Sequence, residues 1–143
     1  MSYQSVNPFN GKELQSFETF TDKQVESALE AAEACYKKWR LTTFAERATI
    51  AHKAASIMRK RVDEFAQPMT LEMGKLIAEA RGEVALSADI IDYYADHAEK
   101  FLTAQPLSPS TGEAHIESAP LGVIFGVQPW NFPLTLGTKR GSS

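Results

Sequence analysis

No proline falls between Asn10 and Gln67, and Gly11 is the only glycine in that stretch. From Pro106 onward lie five of the seven prolines and five of the eight glycines. Proline removes a backbone donor and clashes one helical turn back, and glycine marks turns, so this distribution constrains the fold more than any other feature. The middle of the chain is free to be helical, and the last third has to be strands and loops. No internal repeat or low-complexity tract cuts across these zones.

Residues 1–20 read as extended chain around a turn. Asn7-Pro8 and Asn10-Gly11 are turn dipeptides, and Asn-Gly suits a tight hairpin because both residues tolerate positive φ. Two short strands are predicted there, with Leu14, Phe17 and Phe20 available to cover an apolar neighbour.

Thr21-Asp22-Lys23-Gln24 has capping-box spacing, in which a hydroxyl serves the orphan amides and a Gln reaches back. Val25, Ala28, Leu29, Ala32, Cys35, Tyr36 and Trp39 then recur at steps of three and four, the apolar stripe of a helix. A second box, Thr43 to Glu46, opens another helix, with Ile50, Ala51, Ala54, Ile57 and Met58 as its expected inner face. Asp63 is expected to cap a third, shorter helix ending at Gly74. Pro68 lies within it. If that helix begins near Glu64, the proline costs about 3 kcal/mol; a later start places it in the tolerated first turn. Ile77, Ala80, Val84, Ala88, Ile91, Tyr94, Ala98 and Phe101 trace a fourth helix of about seven turns.

Beyond it the period changes. Ala114, Ile116 and Ser118 alternate with His115 and Glu117, as in a half-exposed strand. Leu121 to Val127 is continuously apolar and rich in β-branched residues, which suits a strand covered on both faces in a parallel sheet. The loop Gln128-Pro129-Trp130-Asn131-Phe132-Pro133 follows.

Composition narrows the function. The chain has 143 residues, 43% apolar and 23% charged, with a net charge of −3. This excludes a disordered chain and offers no electrostatic footprint for nucleic acid or an anionic membrane. Cys35 is the single cysteine and can form neither an internal disulfide nor a thiolate metal cage. It sits on the stripe of the first helix, where a free cysteine is expected to be a small inert hydrophobe rather than a nucleophile. The N-terminus lacks a secretory pattern, and the run from Ala119 to Val127 is too short to span a bilayer. A soluble, reduced, cytoplasmic protein is expected.

Chemistry is expected at the proline-bracketed loop, because α/β folds bind ligands at the carboxyl ends of parallel strands. Asn131 carries an amide NH2 that can donate to an oxygen developing negative charge, held stiffly between Pro129 and Pro133. Taken alone, an asparagine in such a loop more often satisfies its own backbone. His52, His97 and His115 show no metal-site spacing, and solvated or capping roles are expected. Glu79, Arg81 and Glu83 read as a solvated helix face, and Glu72 has no partner acid.

Pro120-Leu121-Gly122-Val123-Ile124 with Gln128-Pro129-Trp130-Asn131-Phe132-Pro133 resembles the signature segment of the NAD(P)-dependent aldehyde dehydrogenase superfamily. Thr70 to Lys75 followed by Glu79 to Val84 resembles a second stretch of that family, and Asn7 to Lys12 its N-terminal turn. The resemblance runs from residue 3 to about 133. Leu-Glu-Met-Gly-Lys and Glu-Ala-Arg-Gly-Glu look most like the succinate-semialdehyde dehydrogenase branch.

The resemblance implies an α/β lineage: the N-terminal part of the aldehyde dehydrogenase fold, mostly helical here, with a few strands and the first buried strand of the nucleotide-binding sheet. It implies oxidation of an aldehyde, succinate semialdehyde foremost, through a cysteine thiohemiacetal that loses hydride to NAD or NADP, after which a glutamate activates water. Asn131 matches the family's oxyanion donor. Val127, Trp130 and Asn131 match residues at the cofactor. The family forms homo-oligomers, and residues near 113–119 match its oligomerisation arm.

The nucleophile and the glutamate belong to motifs beyond residue 143, so this chain alone is expected to be inactive. Residues 1–133 are read as an incomplete portion of the family's domain. Residues 134–143 are read as a tail leaving the pattern after two or three residues, through a frameshift, mis-splicing or truncation. Lys139 is not assigned the family's cofactor-lysine role. The competing expectation is a non-catalytic helical protein that pairs with intact subunits.

Overall fold

A computed structural model describes residues 2–141, with side chains described for residues 3–137. The expected tail position Lys139 therefore has its side chain outside the described residues. The chain begins with a hairpin of β1 (Ser2–Val6) and β2 (Glu13–Glu18), antiparallel with Ser2 opposite Glu18 and an irregularity between Ser5 and Val6. The connection is wider than a two-residue Asn-Gly turn. The Asn7 amide donates to the Lys12 carbonyl at 2.9 Å, and the Asn7 and Asn10 side chains accept from the Phe9 and Lys12 amides. Gly11, at φ 69°, supplies the one left-handed residue of this loop.

Four helices follow: α1 (Asp22–Trp39), α2 (Phe44–Lys60), α3 (Val62–Met73) and α4 (Ile77–Leu102). Both capping boxes form. Thr21 and Thr43 accept from the Gln24 and Glu46 amides, and the Gln24 and Glu46 side chains accept back from the two threonine amides. α3 starts at Val62 with no side-chain cap, so Asp63 is not its cap. Asp63 lies inside the first turn and pairs with Arg81 of α4 at 2.6 Å. Pro68 is inside α3 at an exposed position, where water can reach the carbonyl that loses its donor. Gly74 closes α3 in the left-handed region at φ 77°, as its position predicts.

α4 is the hub, meeting α2, α3 and α5 (Pro133–Gly141). The core is small and alanine-rich: Ala55 and Met58 of α2, Ala66 and Met69 of α3, and Ala80, Val84 and Ala88 of α4. Val62, Phe65, Ile91 and Leu134 pack around it. The α4 stripe is thus where periodicity places it. On α2, Met58 is buried as expected, but Ala55 joins it there, while Ile50 and Ile57 of the expected inner face are exposed. α1 buries none of its residues, and Cys35 is exposed, which corrects its expected core position. The Tyr36 hydroxyl ties α1 to the Pro120 carbonyl at 3.3 Å.

β3 (Gln105–Leu107) and β4 (Ala114–Ile116) form a second antiparallel pair. Ser118 lies beyond it. The expected buried strand at Leu121 to Val127 is not formed. No strand spans those residues, and Leu121, Phe125 and Val127 are 90%, 89% and 72% exposed. A strand exists only through ladder partners, and no described part of this chain lies alongside to provide them.

Candidate active site

The loop from Gln128 to Pro133, where chemistry is expected, is held from beneath by two charges that the sequence pattern did not single out as a site. Lys75 follows the Gly74 cap, and Glu83 lies on α4 between the core positions Ala80 and Val84. Both are buried, with side chains 7% and 2% exposed, and they form an ion pair. Expected as part of a solvated face, Glu83 is instead enclosed beside the α4 stripe.

Every polar atom of this pair is used. The Lys75 ammonium also donates to the Asn131 carbonyl at 3.2 Å and lies 3.9 Å from the Phe132 ring centre. The second Glu83 oxygen accepts from the Leu134 and Thr135 amides at 3.1 and 3.3 Å. These are the first two donors of α5, since Pro133 at the opening position has none. The residue preceding Pro133 is Phe132, which has no capping oxygen on its side chain. A carboxylate from α4 therefore does the capping, at the end of the helix dipole that favours negative charge. One turn further along α4, the Ser87 and Thr135 hydroxyls meet at 3.3 Å.

Asn131 is thus fixed through its backbone on one side and the start of α5 on the other. Its residue is exposed, and its side-chain amide makes no hydrogen bond among the described residues. Trp130 is 75% exposed and lines an open cleft of about 750 Å³ with the hairpin and α3, including Val6, Phe65 and Met69. Val127 stands in the segment before it. The structure brings Trp130 and Asn131 together on one loop. Cys35 lies on α1, outside that loop, and His115 lies on β4 beside Glu117. No group of three potential metal ligands occurs among the described residues.

The sequence model of the Aldehyde dehydrogenase family matches residues 1–140. The chain belongs to the aldehyde dehydrogenase family. It is 41% identical over 132 residues to a succinate-semialdehyde dehydrogenase [NADP(+)] of Deinococcus radiodurans, covering 92% of this chain and 28% of that protein. A succinate semialdehyde dehydrogenase [NAD(P)+] of Escherichia coli is also 41% identical, over 91% of this chain and 28% of its own length. The solved succinic semialdehyde dehydrogenase of Streptococcus pyogenes, in complex with NADP+, superposes with a TM-score of 0.90 at 43% identity. That alignment covers 96% of this chain and 30% of the other. The chain therefore spans under a third of the length of the aldehyde dehydrogenases it matches, and its mostly helical architecture is that of their N-terminal part.

Proposed function

We propose that this chain contributes the oxyanion donor and one wall of the nucleotide site to an NAD(P)-dependent aldehyde dehydrogenase acting on succinate semialdehyde. One observation carries the reading: Asn131 is exposed, with a side-chain amide that has no hydrogen-bond partner among the described residues, on a loop whose backbone is clamped by a buried ion pair. Transition-state stabilisation needs donors fixed in advance, because a donor that must reorganise spends its interaction on its own ordering. An asparagine that satisfied its own backbone would be unavailable. The comparisons favour the succinate-semialdehyde branch among aldehydes.

Asn131 is assigned the role of donating an N–H to the oxygen of the aldehyde as a thiolate adds to the carbonyl carbon. The proton-free oxygen gains charge in that step, and the amide binds it more tightly than the neutral carbonyl. Trp130 offers an apolar face and Val127 a backbone contact to the dinucleotide, which when bound supplies the hydride acceptor. The exposure of both residues fits that role.

In a complete aldehyde dehydrogenase carrying these residues, Asn131→Ala is expected to lower kcat by about two to three orders of magnitude. Turnover that stays unchanged while the chemical step is rate-limiting would refute the assignment. Assayed alone, the 143 residues are expected to give no NAD(P)+ reduction with succinic semialdehyde. Cys35, the sole thiol, stands on a different element from the loop. Reduction above background would overturn that expectation.

A further inference from the structure

We propose that Lys75 and Glu83 are positioning residues for the reaction, setting the place of the Asn131 amide through the loop backbone and the start of α5. The proposal rests on the role given above to Asn131 and adds two residues that touch neither aldehyde nor dinucleotide. Three observations converge. The pair is buried, although it consists of full charges. It reaches the loop at two separate points, the Asn131 carbonyl and the Leu134 and Thr135 amides. And α5 has no local side-chain cap, so its first donors depend on Glu83.

A purely structural pair would need only each other. Here Lys75 spends a donor on the residue whose side chain is to act, and its ammonium lies against the ring of the next residue. Glu83 spends an oxygen on the amides three and four residues after Asn131. The peptide unit of Asn131 is therefore pinned from α3's exit on one side and from α4 on the other. The rotation about that unit decides where the Asn131 amide points, and small misplacements of a catalytic donor are costly.

The test is a kinetic cycle in a complete aldehyde dehydrogenase carrying these residues. Glu83→Gln and Lys75→Met are each expected to lower kcat by about 10- to 100-fold, with the aldehyde KM changed less than about threefold. In an Asn131→Ala background, the same substitutions should lower kcat by less than about threefold, because the donor they position is gone. Should a single substitution prevent folding, Lys75→Met with Glu83→Gln removes both charges together and is read the same way. Hydrogen exchange on the same proteins supplies the second measurement. The Leu134 and Thr135 amides should exchange at least about tenfold faster when Glu83 is replaced.

A loss of kcat that persists in full without Asn131 would overturn the proposal, as would no loss at all. So would unchanged exchange at Leu134 and Thr135. If Asn131→Ala itself leaves kcat intact, the oxyanion assignment fails instead, and the exchange result alone then decides whether Glu83 holds the loop.

Discussion

At the scale of single residues, Lys75 and Glu83 show why a buried ion pair is a poor stabiliser and a good locator. Enclosing two charges costs several kcal/mol each, and their attraction with the extra hydrogen bonds about offsets it. Removing one partner leaves the other uncompensated. Lys75→Met is therefore expected to destabilise the fold by about 3–5 kcal/mol, and adding Glu83→Gln should recover most of that loss. Urea unfolding of the two single variants and the double variant checks it; strictly additive losses would show that the charges do not depend on each other. This pair was the part of the site least legible in the sequence. Trp130 and Asn131 stand in a recognisable proline-bracketed loop, whereas Glu83 reads as one more acid on a long helix. A signal was present: 83 and 87 lie beside 80, 84 and 88 on the same face, so an acid there has to be buried. Its partner lies on another element, which periodicity along one helix does not reveal.

Among elements, the joint between α2 and α4 is polar at its outer edge. The His52 ring meets Asp92 at 2.7 Å and Asp96 at 3.1 Å, while Arg59 spans Asp89 and Asp92. The hydrogen bond to Asp92 raises the His52 pKa above its ordinary 6.5 against the opposing effect of burial, with Asp96 adding to the rise. Burial pushes the Asp92 carboxyl up, but hydrogen bonds from His52 and Arg59 outweigh it and leave it below its ordinary value. A pKa raised on folding gives stability that is complete below the unfolded value and is lost as pH climbs through the folded one. The carboxylates stay ionised above about pH 6, so the window opens there and closes above the raised His52 pKa, and comparison with a variant lacking His52 separates its share of the slope from the other groups that titrate near it. The thermal midpoint should fall across that window, and His52→Gln should flatten the fall; an equal slope in both proteins would remove His52 from the account. Elements that depend on neighbouring residues in sequence were legible. The boxes at Thr21 and Thr43, the Gly74 cap and the α4 stripe all form, because capping and helical period act within a few residues. On α2 the period places Met58 inward correctly but not Ile50 or Ile57, because which side is covered depends on where α4 lies. The expected strand at Leu121 to Val127 does not form for a related reason, since ladder bonds come from other strands. Gly74 adds a local test. At φ 77°, an added Cβ would meet the Pro8 ring at 3.4 Å, an ordinary contact, so the backbone conformation sets the cost. Gly74→Ala should lose about 1–2 kcal/mol, read by the same urea unfolding.

Over the whole molecule, surface area carries the argument. The chain exposes 11060 Å². A compact monomer of its 15.8 kDa would expose about 7300 Å², leaving roughly 3700 Å² in excess. A standard interface takes about 800 Å² from each partner, so the excess is several interfaces' worth. Two regions contribute exposed apolar side chains to it. One is the α1 stripe, with Val25, Leu29 and Trp39 all exposed. The other is the segment from Leu121 through Trp130, whose Phe125 is 89% exposed. Helices α2, α3 and α4 bury their shared core, whereas these two regions have their apolar side chains facing water. Patches of that extent attract other apolar surface. Purified by itself, the 143-residue chain is therefore expected to enhance anilinonaphthalene-sulfonate fluorescence and to self-associate at micromolar concentration. Replacing Leu121, Phe125 and Val127 together by serine should weaken both effects while leaving the helical circular dichroism unchanged, since none of the three lies in a helix. A monodisperse monomer that binds no dye would mean that this surface is covered in solution by a rearrangement of the chain itself. The exposed state of Trp130 and Val127, on which their place at the dinucleotide rests, would then have to be given up as well.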